Sequence, residues 1–182
     1  GAKPGHIRVI DQNQDGILDI NDNIFINADP DWYGSINATL RVKNFDLFMD
    51  WYFVQGVTRV NSILANGEYW KASMNGPVVP YYTPDAPSTQ WPMANANAAW
   101  LKYLNSFAAQ DASYQRLRTV TVGYNFGDEL NQLFRTNSGR IYFTGTNLLT
   151  FTDFLSYSPE QDLRAGVFPE TLNMTLGIKL TF

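Results

Sequence analysis

Cysteine is absent from the 182 residues and histidine occurs once, as His6. A disulfide scaffold, a thiolate nucleophile and a thiolate metal site are therefore excluded, and neither a zinc hydrolase nor a Ser/His/Asp triad has its imidazoles. Charge is also scarce. Only 16% of residues are Asp, Glu, Lys or Arg, against about 25% in ordinary soluble domains. With 13 basic and 17 acidic residues the net charge is -4, so the basic footprint of a nucleic-acid binder is missing. No continuous run approaches the roughly 18 apolar residues of a spanning helix, so any passage through a membrane must be made by strands. The phosphate-loop, nucleophile-elbow and zinc-protease motifs are missing too, and the sequence predicts no enzyme. The chain opens Gly1-Ala2-Lys3-Pro4 without an initiator Met or a leader pattern, which predicts a piece of a longer protein.

What is present is alternation. Ile36, Ala38, Leu40 and Val42 alternate with Ser35, Asn37, Thr39 and Arg41, a period of two that predicts a strand. Lys43-Asn44 suits a tight turn, after which Phe45, Leu47, Met49, Trp51 and Phe53 take one face and Asp46, Phe48, Asp50 and Tyr52 the other. The pattern returns between Ser113 and Phe126, again from Arg140, and most cleanly at the end. There Leu172, Met174, Leu176, Ile178, Leu180 and Phe182 oppose Thr171, Asn173, Thr175, Gly177, Lys179 and Thr181. About ten alternating residues per strand, apolar on one side and small or polar on the other, is the pattern of outer-membrane barrels. A soluble β-sandwich is the alternative, though its strands are usually shorter.

The predicted connections are unequal: 43–44 and 127–139 are short to medium, 57–112 and 149–170 long. Turns on one side of a membrane and loops on the other would look like this. The insert 57–112 carries two candidate helices, 62–74 and 94–108, and a crowd of rings: Tyr69, Trp70, Tyr81, Tyr82, Trp91, Trp100 and Tyr103. Rings stack on sugar faces or cradle peptide side chains. They also simply pack a loop. Trp70, Tyr82 and Trp91 are the candidates for substrate or partner contact, being flanked by turn formers and polar residues. Trp51, Tyr52 and Phe53, near a strand end, suit an interfacial girdle.

Asp11-Gln12-Asn13-Gln14-Asp15-Gly16-Ile17-Leu18-Asp19-Ile20-Asn21-Asp22 follows the calcium-loop pattern, with Asp in the closing position where an EF-hand has Glu. Oxygens on Asp11, Asn13 and Asp15 can converge on one cation, Gly16 permits the sharp turn, the Ile17 carbonyl adds a ligand, and Asp19 and Asp22 close the shell. Calcium (Ca2+) is the expected ion and Mg2+ the second choice. The competing reading is an Asx-rich turn that binds nothing. Extended flanks at Ile7–Ile10 and Ile24–Ile26 predict a structural clip between strands. Asp46 and Asp50 share a strand face but lie about 13 Å apart, too far for the roughly 5–9.5 Å of a glycosidase pair.

These strands and the calcium-like loop resemble the C-terminal part of SusC-type (RagA-type) TonB-dependent outer-membrane transporters. The resemblance rests on Lys3-Pro4-Gly5-His6-Ile7 leading into the loop, Ala28-Asp29-Pro30-Asp31, Trp32-Tyr33-Gly34 and Asn44-Phe45-Asp46-Leu47. It continues in Asp111-Ala112-Ser113-Tyr114, Arg116-Leu117-Arg118, Gly123-Tyr124, Gly145-Thr146-Asn147-Leu148-Leu149-Thr150-Phe151 and the terminal Leu176-Gly177-Ile178-Lys179-Leu180-Thr181-Phe182. His6 stands where the family usually has Asp. The resemblance implies an all-β, antiparallel up-and-down sheet, the last part of a large barrel of about 22 strands with an N-terminal plug. It implies import of glycan or peptide (oligosaccharide or peptide) nutrients through the outer membrane of a Gram-negative bacterium. The implied partners are a SusD-like surface lipoprotein, the rest of the barrel and plug, and TonB through the missing N-terminal part.

Counted back from a periplasmic end at Phe182, 1–33, 57–112 and 149–170 become extracellular, with the strands in 34–56, 113–148 and 171–182. The alternative from a different class is a soluble calcium-stabilised binding or adhesion module.

Overall fold

The computed structural model describes residues 3–71, 78–95, 97–160, 168 and 170–182. The chain forms two compact units, one from residues 30–57, 112–153 and 169–182 and the other from 1–29, 58–111 and 154–168.

The first unit is one antiparallel sheet of five strands, in the order β1 (Trp32–Val42), β2 (Phe45–Gln55), β5 (Tyr114–Asn125), β6 (Ser138–Thr152) and β7 (Asn173–Thr181). Each strand has 9 to 15 residues. Lys43, at φ 51, takes the left-handed conformation needed for the two-residue turn between β1 and β2. The register then carries the alternation across the sheet. Leu40 faces Leu47, Leu47 faces Val122, Val122 faces Phe143, and Phe143 faces Leu176. One face is thereby apolar in every strand, although each strand's pattern is written separately in the sequence. Leu176 is 73% exposed and Ile36 64%, so this face is open among the described residues. Rings gather at its two ends: Phe45 on Tyr124 at 4.9 Å at the turn end, Trp32 near Phe53 and Trp51 stacked on Phe151 at 6.1 Å at the other. Tyr52, grouped with Trp51 and Phe53 in the sequence, lies on the opposite face against Tyr114, as alternation requires.

A bulge interrupts the regularity. Asp50 and Trp51 of β2 pair with Thr119 and Leu117, so the register steps past Arg118, and Asn147 of β6 sits at φ 56 on the other side. The bulge re-aims Arg118, whose guanidinium lies 3.7 Å above the Tyr52 ring. Among the described residues β1 and β7 each have a strand on one side only.

One connection is more structured than the sequence shows and one boundary differs. The connection 127–139 contains a helix, α3 (Asp128–Phe134), and β6 runs on to Thr152 where a loop was expected from 149. Arg116 pairs with Thr150 and Gln115 with Phe151, so the ladder continues as long as β5 offers a partner.

The second unit is built around rings. Leu64, Trp70, Trp91, Ala98, Trp100, Leu104 and Ala108 form its core, with Tyr69, Tyr103 and Phe107 packed against it. Phe107 meets both Trp70 and Trp91 edge-on, at 5.5 and 5.9 Å. The two candidate helices shrink to single turns, α1 (Gly67–Trp70), a 3-10 turn Ala99–Tyr103 and α2 (Leu104–Phe107); residues 72–74 of the first lie outside the described ones. A short ribbon of β3 (Thr58–Val60) and β4 (Ala109–Asp111) closes the insert's base. Asn61, 1% exposed, ties that base down: its side chain donates to Gln110 and to the Leu155 carbonyl and accepts from the Ile63 N–H.

Candidate functional site

The sheet's second face is polar and makes its own cross-strand network. Asp46 on β2 and Arg140 on β6 flank β5 and meet over Gly123, with Arg140 Nη2 2.5 Å from Asp46 Oδ2 and Nε 3.2 Å from Oδ1. A Cβ on Gly123 would come within 2.5 Å of Arg140 Nη2 and 2.7 Å of Asp46 Oδ1. Glycine is thus required for the pair to form across an intervening strand. Two-point geometry and partial burial lift the pair above exposed ones, which contribute about 0–1 kcal/mol. Asn125 donates to the same carboxylate at 2.9 Å, and Thr121 and Thr144 share a hydrogen bond at 2.9 Å. Tyr142 lies over Gly177 in the same way.

Further along, Arg116 is buried, 3% exposed. It contacts Glu170 at 2.5 Å, donates to the Thr150 hydroxyl at 2.9 Å and lies over the Tyr114 ring. A buried guanidinium needs such partners, because an unpaired one would retain most of its desolvation cost. Asp46 and Asp50 do not act as a pair. Asp46 is neutralised by Arg140, and Asp50 Oδ1 has no partner among the described residues.

In the other unit, the loop 11–22 is closed by its own hydrogen bonds. Gly16 N–H donates to Asp11 Oδ2, Asp15 N–H to Asn13 and Ile17 N–H to Asp15 Oδ1, while Gly16 itself has φ 84. Asp19 caps the 3-10 turn Ile20–Asp22, and Asp22 returns the bond to Asp19 N–H while also accepting from Gln12 N–H. The bond from Asp19 N–H is the main reason the Asp22 carboxyl is held below the usual carboxylate range. Among the described residues Asp11 Oδ1 is buried with no hydrogen-bond donor. Among the described residues no three His, Cys, Asp or Glu side chains cluster so as to hold a metal.

The three ring candidates separate. Trp70 is 4% and Trp91 6% exposed, and Trp70 Nε1 donates to the Leu64 carbonyl. Both are core, which corrects the expectation that they offer a contact surface: turn-forming neighbours set the path of the chain, but burial is decided by residues distant in sequence. Tyr82 is half-buried against Gly5, where a Cβ would strike its ring. Tyr81 beside it is exposed.

An apolar outer face, a polar inner face and open edges define a segment of barrel wall, and comparison with known proteins gives the same class. The chain is 28% identical over 197 aligned positions to TonB-dependent receptor P26 of Formosa agariphila, covering 98% of the chain and 20% of that receptor. It is 24% identical to TonB-dependent receptor SusC of Bacteroides thetaiotaomicron, covering 100% of the chain and 18% of SusC. The chain thus spans about a fifth of the length of the curated relatives it matches. The RagAB peptide importer in its closed-closed state superimposes with a TM-score of 0.69 at 20% identity, over 92% of the chain and 20% of the importer chain; its open-open state gives 0.66. No family model matches. The resemblance to the C-terminal part of SusC- and RagA-type TonB-dependent transporters stands, and the fold is that of their barrel strands, not closed within this chain.

Proposed function

We propose that this chain supplies barrel wall and outer loops to a TonB-dependent importer in the outer membrane of a Gram-negative bacterium. The carrying observation is the apolar face that stays in register across all five strands while remaining uncovered. In water such a face would drive aggregation, and acyl chains are the solvent in which it is stable. The rings at both ends of that face suit the two membrane interfaces, and strands of 9 to 15 residues suffice for a tilted crossing. The polar face then lines the interior, and the open edges of β1 and β7 pair with the remaining strands.

On this reading the importer takes up glycan or peptide fragments with a SusD-like lipoprotein at its outer mouth, as the similarity to SusC and RagAB suggests. Of the three candidate rings, the half-exposed Tyr82 is the one left for contact there. The loop 11–22 is a calcium clip in the same reading, supported by an Asp11 Oδ1 with no donor among the described residues and by carboxylate oxygens that keep lone pairs free beyond their N–H bonds. Bound calcium would have to draw together and neutralise the loop's carboxylates, which do not converge among the described residues as they stand; Asp11, Asn13, Asp15, Ile17, Asp19 and Asp22 would hold it.

The test is uptake by cells carrying the full-length gene, with and without TonB. Accumulation of labelled oligosaccharide or peptide should require both the gene and TonB. Recovery of the full-length protein in the soluble fraction without detergent, or uptake unchanged by deletion, would overturn the reading.

A further inference from the structure

The connection between β5 and β6 folds into α3 although a plain turn could join the strands. Leu130, Leu133 and Phe134 stand at i, i+3 and i+4, one stripe of the helix, with Asp128 and Gln132 on the other side and Glu129 at its edge, one turn before Leu133. Seven residues cannot hold a helix by propensity alone. This one is tethered: Asn131 donates to the Phe126 carbonyl at 3.3 Å, and Arg135 at φ 53 ends the helix with its N–H on the Asn131 and Gln132 carbonyls. Yet among the described residues only Leu130 of the stripe is half-buried, for Leu133 is 72% and Phe134 48% exposed.

Where the stripe leads is informative. The Phe134 ring lies 5.6 Å from Phe126, which occupies the space left by Gly139. Phe126 follows Tyr124 on the sheet's apolar face, and Gly139 faces Leu180 there. The stripe therefore extends that face past the end of the strands. Two cations share this end, Arg135 after α3 and Lys43 in the β1–β2 turn, whose neighbour Asn44 accepts from Asn125 N–H.

We propose that α3 is an interfacial lipid anchor, with Leu133 and Phe134 entering the boundary between headgroups and acyl chains and Arg135 at the level of the lipid phosphates. The proposal rests on the membrane reading of the sheet, since it is continuity with a lipid-facing surface that selects lipid as the occupant. Amphipathic helices at interfaces bury their apolar side about 5–10 Å into this boundary.

The experiment uses the full-length protein in phosphatidylcholine/phosphatidylglycerol liposomes, with nitroxide attached through L133C, F134C, Q132C or L176C and signal from the unsubstituted protein subtracted. Collision rates with oxygen, which concentrates in lipid, are compared with those of a water-soluble nickel chelate. The oxygen-to-nickel ratio should be several-fold higher for L133C and F134C than for Q132C, and L176C should be as high or higher. If positions 133 and 134 match 132 while 176 prefers oxygen, α3 lies in water and the proposal fails with the membrane reading intact. If they are shielded from both reagents, protein covers the stripe and the proposal is again overturned. If 176 prefers nickel or is shielded, the membrane reading itself fails and the anchor with it.

Discussion

The two units of this chain solve opposite problems with the same kinds of residue. In the unit of residues 1–29, 58–111 and 154–168, the large rings go inside: Trp70, Trp91 and Trp100 are each less than 7% exposed. In the sheet, Leu176, Ile36 and Phe45 lie outside, while Arg116 is buried and Asp46 is half-buried beside Arg140. A ring core is what water enforces, and an inverted sheet is what a hydrocarbon exterior permits. On the membrane reading, the direction in which apolar side chains point reports the solvent around each part, which composition averaged over the chain conceals.

The largest expected effect tests whether the ring core stands by itself. Trp70→Ala should cost about 3–5 kcal/mol through the cavity it leaves. In the full-length protein, amide exchange should rise in residues 58–111 while β5 and β6 keep their protection. Equal loss in the sheet would mean that the two regions fold as one unit and would dissolve the contrast. Next comes the sheet's outer face. Leu176→Arg should cost roughly 2–4 kcal/mol near the bilayer midplane and Thr175→Arg much less, read from the temperature at which the folded barrel's gel mobility is lost. Identical temperatures for both variants would show that the faces do not differ in surroundings.

The inner face is sharpened by Gly123→Val, whose side chain must part Asp46 from Arg140. A cost of about 1–3 kcal/mol is expected for such overpacking, shrinking when Asp46 and Arg140 are both Ala because the effects are coupled. A cost unchanged in that background would place the strain in the backbone. The smallest effect belongs to the loop 11–22. With a dissociation constant of roughly 10⁻⁴ to 10⁻³ M, calcium at ten times that value should stabilise by about 1.4 kcal/mol. The gain should appear as slower exchange of residues 11–22, reversed by chelator and reduced by Asp15→Asn. No response would leave a loop held by hydrogen bonds alone.

The sequence by itself determined the strands and their faces, because a period of two is a local property that each strand declares within about ten residues. It determined the turn at Lys43-Asn44 for the same reason: the partners are near neighbours. The tertiary structure decided what depends on distant residues. Trp70 and Trp91 sit in turn-rich surroundings that suggest a surface, yet Leu64, Ala98, Trp100, Leu104 and Phe107 close over them. Gly123 is one more small residue in a strand until register sets it beside Asp46 and the Arg140 side chain, from two positions along β6, reaches over it. Helix α3 escaped notice because its stripe is two turns long and becomes meaningful only beside Phe126. Alternation fixes a strand's two faces, but which strands become neighbours, and hence which side chains meet, is settled only when the chain has folded.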